Sequence, residues 1–171
     1  MRHWIVIASV LFTGPALAQE PPVSPLVGNV RPLAGPPFAL ALEAAQAAMA
    51  ACKAKGHNVG VSVVDETGGL RVVLGADGAL AADANGSRRA ALLSAAQKTS
   101  GAELIERAKT DKALAAEIGA NRDWLLRDGA LPIANGGKIF GAIAVEGHPH
   151  DGPLEIACAQ AGIDRIKSRL K

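Results

Sequence analysis

The side chains best suited to chemistry gather near the end of the chain, in residues 147–153, GHPHDGP. His148 and His150 stand two apart there, in a Gly- and Pro-rich loop with Asp151 beside them. In an extended segment residues i and i+2 point the same way, so both imidazoles can face one metal ion. No third ligand is visible in the sequence, and the plainer alternative is a surface loop carrying two ordinary histidines. His57 follows Gly56, which ends a helical run; it reads either as a partly exposed ligand or as a solvated turn histidine. Arg88 and Arg89 open another helical run, as bidentate donors to an anion or as solvated charges.

Catalytic patterns are weaker. Ser62, Ser87 or Ser94 can be combined with a histidine and Asp65 only on paper, because no G-x-S-x-G elbow is present. Asp65 and Glu66 sit in a glycine turn, DETGG, where acidic residues serve local hydrogen bonding. No phosphate loop or dinucleotide fingerprint follows a strand. No enzyme motif rises above background, which leans against an enzyme without deciding it.

The elements that must hold these groups are legible from periodicity. Residues 38–55, FALALEAAQAAMAACKAK, are nearly all good helix formers, closed by Gly56. Residues 58–65 alternate Val59, Val61 and Val63 with small residues, and residues 70–74 return as a second strand. Residues 80–118 read as helical with a break near Ser100-Gly101, giving helices over 87–98 and 102–118. Asn135-Gly136-Gly137 is a hairpin turn between residues 131–133 and the strand 138–146. Residues 154–170 close the chain as a helix. Two hairpins make an antiparallel sheet, and helices packed on it give an α+β fold.

The ends and the composition set the class. Arg2, the apolar run 4–12 and Ala16-Leu17-Ala18 read as a cleaved export signal over residues 1–18. That run is too short to span a bilayer, so no stable membrane insertion is expected. Residues 19–37 carry Pro21, Pro22, Pro25, Pro32, Pro36 and Pro37 and read as an extended arm. Residues 38–171 form one domain. The formal net charge is +2 with both signs interspersed, which argues against nucleic acid as a partner. Beyond the signal the aromatic residues are Phe38, Trp124 and Phe140, so one subunit cannot build a large aromatic platform. An exported protein meets oxidising conditions, where Cys52 and Cys158 either close a disulfide or remain two separate buried thiols.

Three stretches carry a resemblance. AAMAACKAKGHNVGVSVVDETGGLRVVL pairs an Ala-rich helix with V-x-V-V-D-x-x-G. Gly129-Ala130-Leu131-Pro132-Ile133 is followed by Gly136-Gly137-Lys138-Ile139-Phe140-Gly141-Ala142-Ile143, and Cys158-Ala159-Gln160-Ala161-Gly162-Ile163 comes near the end. In this order the three resemble the signatures of the GlcG/HbpS-like family of haem-binding proteins, over roughly residues 40–168. The chain departs from the pattern after Ser87-Arg88-Arg89, where Lys and Thr of the family are replaced within Ala90-Ala91-Leu92-Leu93-Ser94. It departs again at Glu146, which stands where the family has small residues, and at Leu154-Glu155-Ile156-Ala157.

The resemblance implies a profilin-like antiparallel sheet of about five strands with helices on its faces, a homo-oligomer, and haem as the cofactor. Axial ligands to haem are normally His, Met, Cys or Tyr. Within that implication His148 and His150 are the candidate iron contacts, His57 is the next, and Arg88 and Arg89 are candidate clamps for the propionates. The function expected is periplasmic or secreted binding of haem or a similar tetrapyrrole, for storage, scavenging or sensing. A cofactor-free accessory subunit of an exported enzyme system is the alternative, and an enzyme acting on haem or a small metabolite is a third reading.

Overall fold

A computed structural model of the chain describes residues 35–171. The signal segment and residues 19–34 of the arm lie outside the described residues. Helix α1 (Phe38–Lys53) precedes a hairpin of β1 (Val59–Asp65) and β2 (Leu70–Gly75). Three helices follow, α2 (Ala81–Gln97), α3 (Gly101–Thr110) and α4 (Lys112–Ala120). A second hairpin, β3 (Ala130–Asn135) and β4 (Lys138–Gly147), leads into α5 (Gly152–Ile166).

The sheet is antiparallel in the order β2-β1-β4-β3, so β1 and β4 lie at its centre. Both are buried along nearly their whole length. On one face Val59, Val61, Val63, Ile143 and Val145 pack beneath the Ala-rich stripe of α1 and the inner face of α5. On the other, α2 lies on Val64, Ala142 and Ala144 through Ala90, Ala91 and Ala95. Small side chains on both sides of this second layer let the helix axis approach the sheet closely. Gly60 shows how close: a Cβ there would stand 2.4 Å from the Ala84 nitrogen. The start of α2 is thereby pinned to β1, beside the partner of Gly60 in the ladder, Glu146.

Cys52 of α1 and Cys158 of α5 are joined in a disulfide, with Cα atoms 5.5 Å apart. The two helices are joined again at the surface, where Glu43 meets Arg165 and Arg169, each at 2.7 Å.

The α+β class and the antiparallel sheet agree with the sequence reading, and two details differ. The described residues hold four strands, not about five. Residues 121–129, between α4 and β3, form no helix or strand and are tied to α2 by the Leu125 N–H donating to the Arg89 carbonyl at 3.3 Å. The helical stretch expected over 102–118 is two helices broken at Asp111, whose carboxylate accepts from the Leu114 N–H at 2.9 Å and so starts α4. Among the described residues no helix is long and apolar enough to cross a membrane.

Candidate functional site

The register of the sheet gathers the candidates at one end. Val59 of β1 pairs with Gly147 of β4, so the loop after β4 lies beside the start of β1 and the start of α2. His148 occupies that corner. Its Nδ1 is bound to Oδ1 of Asp83, a fully buried carboxylate in the first turn of α2. The other oxygen of Asp83 accepts from the Leu80 N–H at 2.7 Å, which fixes the carboxylate in place. The imidazole is half exposed. A neutral imidazole that donates from Nδ1 leaves Nε2 as a lone-pair donor.

His148 lines a cleft of about 300 Å³ together with Asn85, Gly86, Arg89, Arg127 and Glu146. Arg89 is held by the chain it crosses: Nε donates to the Arg122 carbonyl at 3.0 Å and Nη2 to the Trp124 carbonyl at 2.9 Å. Arg127 donates from Nε to Glu146 Oε1 at 3.0 Å. The cleft therefore offers one oriented imidazole and the Arg89 guanidinium beside an Arg127–Glu146 ion pair, groups able to meet a metal centre and an anionic group.

His150 is directed elsewhere. Its Nδ1 lies 2.9 Å from Glu155 Oε2 and 3.9 Å from Glu146 Oε1. Both glutamates are buried, Glu146 at the end of β4 and Glu155 in the first turn of α5. Glu155 Oε1 accepts from the Gly147 N–H at 3.0 Å. Gly129, the first residue of the G-x-L-P-I match, is what leaves room for Glu155, since a Cβ there would come within 2.7 Å of the Glu155 Cβ. Burial pushes the Glu155 carboxyl above its ordinary value; the Glu146 charge adds to the rise, and His150 and the Gly147 N–H offset part of it.

Of the residues singled out from the sequence, the structure thus brings His148 and Arg89 to one cleft and sets His150 beside it with different partners. Arg88 points away from that cleft to Asp123, 3.6 Å distant. His57 is partly buried after the end of α1 and lines neither this cleft nor the larger one. The larger cleft, about 550 Å³, lies at the opposite end of the sheet between the two hairpin turns, lined by Glu66, Thr67, Lys98 and Lys138. It contains no histidine, cysteine or methionine. Asp65, next to it, is engaged by its own turn, accepting from Thr67 N–H, Thr67 Oγ1 and Gly69 N–H at 2.7–2.9 Å. Asp83, Arg127, Glu146 and Glu155 were not among the sequence candidates. A buried acid ending an apolar strand was the signal available for Glu146, and an acid within an apolar helix face was the one for Glu155.

Among solved structures, a double mutant of HbpS from Streptomyces reticuli superposes with a TM-score of 0.69 at 28% identity, covering 85% of this chain and 97% of that one. Klebsiella pneumoniae protein ORFY gives 0.72 at 21% identity, with 85% and 99% covered. PduOC, solved as a complex with haem, gives 0.69 at 20% identity, with 80% and 97% covered, and shares the fold. No curated protein matches the chain. The family model described as "Haem degrading protein HbpS-like" matches residues 37–164, and the chain belongs to that HbpS-like family.

Proposed function

We propose that this protein binds haem, or a closely similar tetrapyrrole, reversibly, with His148 as the iron contact. The observation that carries the reading is the Asp83–His148 pair. Haem-ligating histidines need one free nitrogen and a fixed ring direction, and a buried carboxylate on the other nitrogen supplies both. Arg89 supplies fixed positive charge in the same cleft for a propionate, whereas the charge of Arg127 is paired with Glu146. At about 300 Å³ the cleft is at the small end of ligand sites, so it suits the edge of a macrocycle rather than the whole ring. A shared site in a homo-oligomer agrees with that size and with the shortage of aromatic residues. Bound haem supplies the iron chemistry; the chain's part is to orient one imidazole, hold the acid groups and limit access of water.

We further read the protein as exported, in a storage, scavenging or sensing role. The signal-like residues 1–18 support this, as does the Cys52–Cys158 disulfide, which suits an oxidising compartment. The family description favours a second reading, haem breakdown.

Haemin titration followed by absorbance tests the proposal. A saturable Soret shift is expected, and absorbance that only rises linearly with haemin rejects it. Adding a reductant and oxygen to the complex separates the two readings, since breakdown bleaches the Soret band and simple binding preserves it.

A further inference from the structure

A second site adjoins the cleft and shares Glu146 with its lining. Glu146, His150 and Glu155 each offer one donor atom, and those atoms lie within 4.8 Å of one another. The three come from the last strand, the following loop and the first turn of α5, and the hairpin register together with the Asp151 cap of α5 holds them there.

Two oxygens in this group, Glu146 Oε2 and Glu155 Oε2, are buried and accept no hydrogen bond of good geometry. The side chains carrying them are 3% and 2% exposed. Buried carboxylate oxygens without donors are costly, and two acids brought together away from water repel as well. Arg127 faces Glu146 through Oε1 and His150 Nδ1 stands 2.9 Å from Glu155 Oε2, which leaves Glu146 Oε2 without a partner among the described residues. A cation between the two glutamates and the imidazole satisfies Glu146 Oε2 and offsets the charge of both acids. The spacing agrees: His150 Nδ1 is 2.9 Å from Glu155 Oε2 and 3.9 Å from Glu146 Oε1, and metal bonds of about 2.0–2.2 Å place neighbouring donors roughly 3–4 Å apart. His150 stays 40% exposed, which leaves an entry path and open positions for water.

We propose that Glu146, His150 and Glu155 bind one divalent first-row transition ion. Two carboxylates and one imidazole form a borderline-hard set that suits zinc, manganese or ferrous iron over calcium. His148 lies outside this group, with its Nδ1 bound to Asp83.

The test is calorimetric titration of the full chain, freed of metal with EDTA, with zinc or manganese chloride and no haem present. One ion per chain is expected, with affinity falling more than tenfold in Glu155→Gln and in His150→Ala. Calcium should bind at least tenfold more weakly than zinc. Circular dichroism and urea unfolding of each metal-free variant show whether it folds; Glu146→Gln, near-isosteric, serves if either of the others does not. No saturable binding to the wild-type chain overturns the proposal, as does binding that survives unchanged in folded Glu155→Gln. Haemin binding has no bearing on either outcome, so this site and the haem reading fail separately.

Discussion

His148 is bound through Nδ1 to Asp83, 65 positions earlier in the chain, so the loop after β4 is tied to the first turn of α2. His150, two residues on, turns to Glu155 instead. The loop therefore presents its two imidazoles to different carboxylates, one at the rim of a cleft and one over a buried pair of acids.

Asp83 does two jobs, since its second oxygen caps the Leu80 N–H. Asp83→Ala should cost about 0.5–2 kcal/mol of stability, as losing a helix-start acceptor does. It should also weaken haemin binding roughly 10–100-fold, the usual effect of removing the carboxylate that orients a ligating histidine. Urea unfolding and the Soret titration check the two separately. A variant that unfolds more easily yet binds haemin with wild-type affinity shows that the pair is structural only.

The disulfide closes a loop spanning 106 positions between α1 and α5. Reducing it, or changing Cys52 and Cys158 to Ala together, should lower the unfolding free energy by about 2–5 kcal/mol. Urea curves with and without reductant measure the loss. Thiol titration of the unreduced, denatured protein should find no free cysteine.

Glu155 makes metal-free stability depend on pH in a fixed direction. Its carboxyl is raised above the ordinary value, chiefly by burial. Stability from this group is therefore full below the unfolded value and lost as pH rises through the folded one. Glu155→Gln should match or exceed the wild-type protein near neutral pH in EDTA, and the gap should close as pH falls toward 4. A gap that widens on acidification contradicts the sign of the shift.

Gly60 carries the approach of α2 to β1, and Gly60→Ala would set a methyl group 2.4 Å from the Ala84 nitrogen. Overpacking of this kind costs typically about 1–3 kcal/mol. Because the helix start that must retreat also bears Asp83, haemin affinity should fall along with the urea midpoint. A crystal structure of the variant would show the displaced turn directly.

Hairpins and flanking helices were legible because they rest on local pattern: alternating valines in β1, Asn135-Gly136-Gly137 in the second turn, unbroken helix formers in α1. The sequence pattern starts α2 at Ser87, six residues after its start at Ala81 in the structure. Asn85-Gly86 is poor helix sequence, and packing on β1 and β4 overrides it. The break at Asp111 was hidden because Lys-Thr-Asp-Lys looks like an exposed helix face until the Asp111 side chain is seen to cap α4. The histidine loop could be singled out from residue types, but its partners could not. Asp83 is far away in sequence, and Glu155 becomes a neighbour of Glu146 only once the loop reverses the chain.

The most direct test of the account is the haemin titration repeated on His148→Ala and His150→Ala singly. A saturable Soret shift in the wild-type protein and in His150→Ala, lost or greatly weakened in His148→Ala, is the predicted result. Undiminished binding by His148→Ala, or no saturable binding by the wild-type chain, would contradict it.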